Sequence, residues 1–132
     1  MEIYAVAVSA RDLPRAVAFY ELLGFEFEAA EADDPHLEAI TSSGVRLMID
    51  SASMMTELLG EPPRPGNTSG FALRYGSPAE VDEVAGRVSG AGGTVVHEPW
   101  DAPWAQRYAT VADSDGYRVD LFCPLPPPAS AG

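Results

Sequence analysis

The sequence predicts an α+β fold: two tandem βαβββ modules whose strands form curved mixed sheets within one structural domain. Three observations predict it. Ser43-Gly44-Val45-Arg46-Leu47-Met48-Ile49-Asp50 lies over Asp115-Gly116-Tyr117-Arg118-Val119-Asp120-Leu121-Phe122, a turn and then a strand in each copy. The opening strands, Ala5 to Val8 and Phe71 to Arg74, correspond in the same way. Between the copies, Glu61-Pro62-Pro63-Arg64-Pro65-Gly66-Asn67 suits neither a helix nor a central strand, because proline lacks the N–H both require. A repeated unit that cannot bury its sheet alone pairs with its copy. The modules are read as residues 1–58 and 68–124, with 59–67 as linker and 125–132 as a frayed tail rich in Pro and Ala.

The elements follow in order. Ile3 to Val8 is small, apolar and β-branched, and reads as a buried strand. Asp12 caps a helix with Pro14 in its first turn, where a missing N–H does little harm. Leu13, Val17, Tyr20 and either Leu23 or Leu22 recur at helical spacing, and Gly24 ends the helix. Phe25 to Glu28 alternates and reads as a strand with one wet face. His36 to Thr41 and Val45 to Asp50 are strands around the turn Ser42-Ser43-Gly44. Ser53 to Leu59 is a short helix. Phe71 to Tyr75 is a strand. Ser77 caps a helix that carries Pro78 first and runs to about Val88. Thr94 to His97 is a strand, and the stretch from Trp100 to Gln106 is a loop holding both tryptophans. Arg107 to Ala112 and Tyr117 to Phe122 are strands joined at Asp113-Ser114-Asp115-Gly116, where Gly tolerates positive φ and Asp bonds its own backbone.

Composition excludes several classes of function. Twenty acids against eight bases give a formal net charge of −12, which argues against nucleic acid as a partner. That field favours a cationic or neutral small molecule, and it also serves solubility. No apolar run reaches the length of about 18 residues that a membrane span needs. Cys123 is the only cysteine, so there is no disulfide framework and no cysteine zinc site; a cytoplasmic location follows from these. The cluster Gly90-Ala91-Gly92-Gly93 follows a helix and precedes a strand, the reverse of a phosphate-cradling loop. No serine sits in a Gly-x-Ser-x-Gly elbow.

Arg11-Asp12-Leu13-Pro14-Arg15-Ala16-Val17-Ala18-Phe19-Tyr20, then Leu23-Gly24-Phe25 and later Asp113-Ser114-Asp115-Gly116-Tyr117, set in tandem βαβββ halves, resemble the vicinal oxygen chelate superfamily. That superfamily includes glyoxalase I, extradiol dioxygenases, fosfomycin-modifying enzymes and bleomycin-resistance proteins. Pro35-His36-Leu37-Glu38-Ala39, Pro99-Trp100, Trp104-Ala105-Gln106-Arg107-Tyr108 and Val119-Asp120-Leu121-Phe122 look most like its drug-binding branch, as in mitomycin-binding resistance proteins. The resemblance implies a homodimer that holds a flat or cationic drug in a cleft between subunits, stacked on aromatic rings.

The resemblance also implies where a divalent metal would lie in the enzymes of the group: on the first and last strands of each half. The matching positions are Ala5, Met48, Phe71 and Asp120. Metals of this kind take imidazole or carboxylate ligands, and only Asp120 offers one. The expectation is a site without metal or cofactor. The expected ligand-binding residues are Trp104 and Trp100, with Tyr108, Phe71, Tyr75 and Phe122 as aromatic walls. Met48 lines the groove, and Asp120, Asp50, Glu38 and His36 supply polar contacts. Core packing is the competing reading for Phe71 and Phe122. The alternative function is a superfamily enzyme, a lyase, isomerase or dioxygenase, acting on a small metabolite through acid–base residues such as Asp120 or His36.

Overall fold

The computed structural model describes residues 1–127. In order, it contains β1 (Ala5–Ala10), α1 (Leu13–Leu23), β2 (His36–Ile40), β3 (Arg46–Ser51), α2 (Ala52–Leu59), β4 (Ser69–Arg74), α3 (Pro78–Arg87), a 3-10 turn (Val88–Ala91), β5 (Thr94–Ala102), β6 (Gln106–Ala112) and β7 (Arg118–Pro124). The strands form two mixed sheets, ordered β1-β3-β2 and β4-β7-β6-β5. In each sheet the module's first strand runs parallel to its last, and the strand before the last is antiparallel to it. The α+β fold with curved mixed sheets is therefore as the repeat implied.

The first module departs from the expected pattern. Phe25 to Glu28 joins no ladder, so that sheet has three strands where the second has four. Alternation in this segment reflects packing of a different kind. Phe25 is buried and meets Tyr20 at 6.0 Å and Phe71 at 6.3 Å, edge to face. The rings turn inward toward α1 and the second module, and a periodic pattern of apolar residues cannot distinguish that from strand pairing. In the second module β5 extends to Ala102, so Trp100 lies on a strand and not in a loop. Residues 60–68 carry no helix or strand. Of the expected frayed tail, residues 128–132 lie outside the described residues.

The helices begin and end for local reasons. The Asp12 carboxylate accepts from Arg15 N–H at 3.1 Å, and Gly24 closes α1 at φ 118°. Ser51 and Ser77 cap α2 and α3 through Met54 N–H and Glu80 N–H, each at 3.2 Å. Six of the eleven residues of α1 are buried, because the helix meets the back of the first sheet on one side and the turn after α3 on another. Val8, Leu47 and Ile49 from the first sheet join Val111, Val119 and Leu121 from the second in one continuous core. Gly93 enters β5 directly against Phe19: a Cβ there would fall 2.4 Å from the ring.

Polar ties fix the two modules to each other. The buried Tyr20 hydroxyl donates to Asp113 at 2.7 Å. The Tyr75 hydroxyl donates to Leu23 C=O at 2.7 Å. Arg11 donates to Asp115 at 2.8 Å and to Ser114 C=O at 3.2 Å. With both sheet backs committed to this core, the opposite faces of the two sheets stay open. Among the described residues no helix is long and apolar enough to cross a membrane.

Candidate functional site

Strand alternation decides which residues reach the open face of the second sheet. Val119, Leu121 and Cys123 of β7 are buried, so Asp120 and Phe122 point the other way. Asp120 stands opposite Thr110 on β6 and Ala72 on β4; Phe122 stands opposite Tyr108 and Arg74. Asp120 is the polar centre of this face. Its carboxylate accepts hydroxyl hydrogens from Ser69 at 2.5 Å, from Thr110 at 2.8 Å and from Tyr108. The Tyr108 phenol is pushed up to about 12, by burial first and then by its hydrogen bond to Asp120 and the charge there.

The aromatic residues form a continuous run on the same face. His97 meets Trp100 at 5.0 Å between ring centres, Trp100 meets Trp104 at 5.7 Å and 88°, and Trp104 meets Tyr108 at 5.3 Å and 84°. Tyr108 and Phe122 lie stacked at 6.3 Å. Trp104 remains 53% exposed and Trp100 38%, large apolar surface left to water. Two backbone features produce this. The β5–β6 pairing shifts register between Val95 and His97 and again between His97 and Trp100. A regular strand would put residues three apart on opposite faces, and the irregularity brings both rings together. Trp104 then sits in the three-residue turn Pro103-Trp104-Ala105. Ala105 closes that turn at φ 64° and donates to Ala102 C=O at 3.0 Å.

The open face of the first sheet holds a second group. Leu47 and Ile49 are buried, so Arg46, Met48 and Asp50 face outward. The ladder sets Asp50 opposite His36, Met48 opposite Glu38 and Arg46 opposite Ile40. His36 Nδ1 lies 2.6 Å from Asp50 and Nε2 lies 2.7 Å from Glu38. A neutral imidazole has one N–H, whereas two carboxylates each need a donor, so the pair holds the charged form. His36 is accordingly raised above its ordinary 6.5, by the hydrogen bond it donates to Asp50 first and that to Glu38 second. Glu38 is lowered, chiefly by His36, and Arg46 donates to it at 3.3 Å.

The sign of the resulting pH dependence is fixed. The raised histidine stabilises the fold fully below pH 6.5, and this contribution is lost as pH rises through the raised value. The lowered glutamate stabilises it above 4.5, a contribution lost as pH falls through the lowered value. A proton NMR titration is expected to give one imidazole resonance with its midpoint above 6.5, absent in His36→Gln. A His36 midpoint at or below 6.5 would contradict the double clamp.

The expected site residues thus fall into three places. Trp100, Trp104, Tyr108, Asp120 and Phe122 come together on the second sheet. His36, Glu38, Met48 and Asp50 come together on the first. Phe71 and Tyr75 join neither group. Phe71 pairs with Val119 and turns inward to Phe25, and the Tyr75 hydroxyl is spent on Leu23. The residue on β4 that faces outward beside Asp120 is Ala72, one place from the position the family resemblance implied. Ser69 and Thr110 were missed, while His97 was open between a pocket-lining donor near Trp100 and a strand-edge histidine. Thr110 was legible as the residue two beyond Tyr108; Ser69 depends on a register shift that leaves no mark in the sequence.

A metal does not fit these residues. The positions across the strands that face outward are Ala7 with Met48 and Ala72 with Asp120. Two offer no donor and a third only a thioether, while the carboxylate is taken by three hydroxyls. Among the described residues no group of three His, Cys, Asp or Glu is arranged to hold a metal ion.

Comparison with known proteins adds a family. The profile described as Glyoxalase/Bleomycin resistance protein/Dioxygenase superfamily matches residues 3–121. A protein of Mycolicibacterium smegmatis called "Uncharacterized protein" is 27% identical over 94% of this chain and 95% of its own. A glyoxalase-related enzyme from Fulvimarina pelagi superposes with a TM-score of 0.79 at 21% identity, over 93% of this chain and 88% of that one. A glyoxalase/bleomycin resistance protein/dioxygenase family enzyme from Burkholderia phytofirmans PsJN gives 0.76 at 16% identity, over 95% and 100%. These two likenesses are of fold alone.

Proposed function

The chain belongs to the glyoxalase/bleomycin resistance protein/dioxygenase superfamily, and from that premise we propose that it binds and sequesters a small planar, aromatic or cationic molecule without a metal. The observation that carries this reading is the exposed run of rings from Trp100 to Phe122 beside the hydroxyl-clamped Asp120. Ring faces supply stacking and attract positive charge. The acidic chain selects against anions at this face. Antibiotics of the quinone or cationic glycopeptide kind have this chemistry, so the biological role proposed is resistance by sequestration in the cytoplasm.

The ring face is open, and a flat ligand held there meets protein on one side only. A homodimer supplies the other wall when the acidic face of one first sheet closes over the aromatic face of its partner's second sheet. Light scattering is expected to give a dimer at micromolar concentration, and a monomer would remove the second wall. Elemental analysis after mild purification is expected to find no stoichiometric divalent ion. One equivalent of zinc, nickel, iron or manganese per chain would overturn the reading of the four outward positions. Incubation with a mitomycin-like quinone or a bleomycin-like drug, followed by mass analysis, separates binding from catalysis. Unchanged ligand eluting with protein supports the proposal, and a modified product favours an acid–base enzyme that uses His36 or Asp120.

A further inference from the structure

A second site lies at the seam between the modules, bordered by the outward residues Arg46, Ala72 and Arg74. The two end strands β1 and β4 flank a cleft of about 370 Å³, together with the turn at Ser42-Ser43. Its apolar wall is Val6, Phe25, Phe71 and Leu73, and its charged lining consists of Arg46 and Arg74, with no acid. In a chain with twenty acids and eight bases, the charged lining is two arginines, of which Arg46 is paired with Glu38 from outside the cleft. An adjoining cleft of about 310 Å³ shares Phe25, Thr41, Leu73 and Arg74 and carries Glu26. Arg74 thus lines both clefts, and Glu26 lines the adjoining one only.

The two cations differ in their commitments. Arg46 is held by Glu38 at 3.3 Å and lies over the Tyr4 ring at 5.1 Å from its centre. Arg74 is exposed and has no ion-pair partner among the described residues. A guanidinium offers a planar pair of N–H donors matched to a carboxylate. Apolar walls beside a free guanidinium suit one chemistry, an apolar chain or ring ending in a carboxylate. The size is that of an ordinary small-molecule pocket.

The geometry points to a second ligand site in this seam, specific for a small amphipathic carboxylate and independent of the aromatic face. Arg74 receives the carboxylate, and Phe25, Phe71 and Leu73 cover the tail. Because the cleft touches both modules, its occupant also ties them together.

Calorimetric titration of the full chain with decanoate, decylamine and decanol tests this. Decanoate is expected to bind one per chain, with decylamine at least tenfold weaker. Arg74→Gln, at an exposed position, is expected to weaken decanoate at least tenfold, and Trp104→Ala to leave it unchanged. Decylamine binding as tightly as decanoate, or Arg74→Gln without effect, would overturn the site. Loss of decanoate in Trp104→Ala with retention in Arg74→Gln would move the ligand to the aromatic face, also against the proposal. Drug binding at Trp104 is read with a different ligand, a flat or cationic drug, so the two readings fail separately.

Discussion

Replacing Asp113 by alanine is expected to destabilise the protein by about 3 kcal/mol and to lower its melting temperature by roughly 10 °C. Asp113 is 4% exposed. One carboxylate oxygen accepts the N–H groups of Asp115 and Tyr117 at 2.9 and 3.0 Å, and the other accepts the hydroxyl of Tyr20 at 2.7 Å. Tyr20 is fully buried, so truncation leaves its hydroxyl without a partner in a place water does not reach. An orphaned buried donor costs about 1–3 kcal/mol, and two backbone groups in a turn add to it. Asp113→Asn keeps an acceptor for the backbone pair and is expected to cost about 1 kcal/mol. Thermal or denaturant unfolding measures both. Equal, small losses in the two variants would show that the turn finds its hydrogen bonds elsewhere.

The same residue has an unusual pH dependence. Burial raises the Asp113 carboxyl above its ordinary 3.8, against the opposing pull of the bonds from Tyr20, Tyr117 and Asp115. A group raised on folding contributes stability that is complete below the unfolded value and is lost as pH rises through the folded one. Asp113 thus opposes acid unfolding, whereas Glu38 favours it.

Replacing Trp104 by alanine is expected to weaken the binding of a flat or cationic drug about 30-fold, which is about 2 kcal/mol. Trp104 makes edge contacts with Trp100 on one side and Tyr108 on the other, and still exposes half its surface. It therefore stabilises the folded monomer little and has surface to give to a ligand. Unfolding of the variant is expected to shift by under about 1 kcal/mol, as for surface substitutions generally. Calorimetry, or fluorescence of the remaining Trp100, reads the affinity. Unchanged affinity in Trp104→Ala, with tight binding by the natural protein, would make the tryptophan structural and end the stacking proposal.

The module repeat and the capped starts of α1 and α3 were legible in the sequence, whereas the Ser51 cap of α2 was not. Each of these rests on local chemistry: a side-chain cap, a proline or a turn glycine. The acidity of the chain and its single cysteine were equally legible. Only the tertiary structure decided which way the rings point. Phe71 and Tyr75 have the same composition signal as Tyr108 and Phe122. Yet the first two turn into the seam and the others outward, because the β4–β7 pairing breaks register between Ser69 and Phe71. Phe25 to Glu28 alternates like a strand but stays unpaired, since its rings serve the core between modules. His97 and Trp100 meet through a register shift, and Asp120 gathers three hydroxyls from three different positions on β4 and β6. Register is a relation between strands distant in sequence, set by how two sheets share one core, and no residue carries it alone.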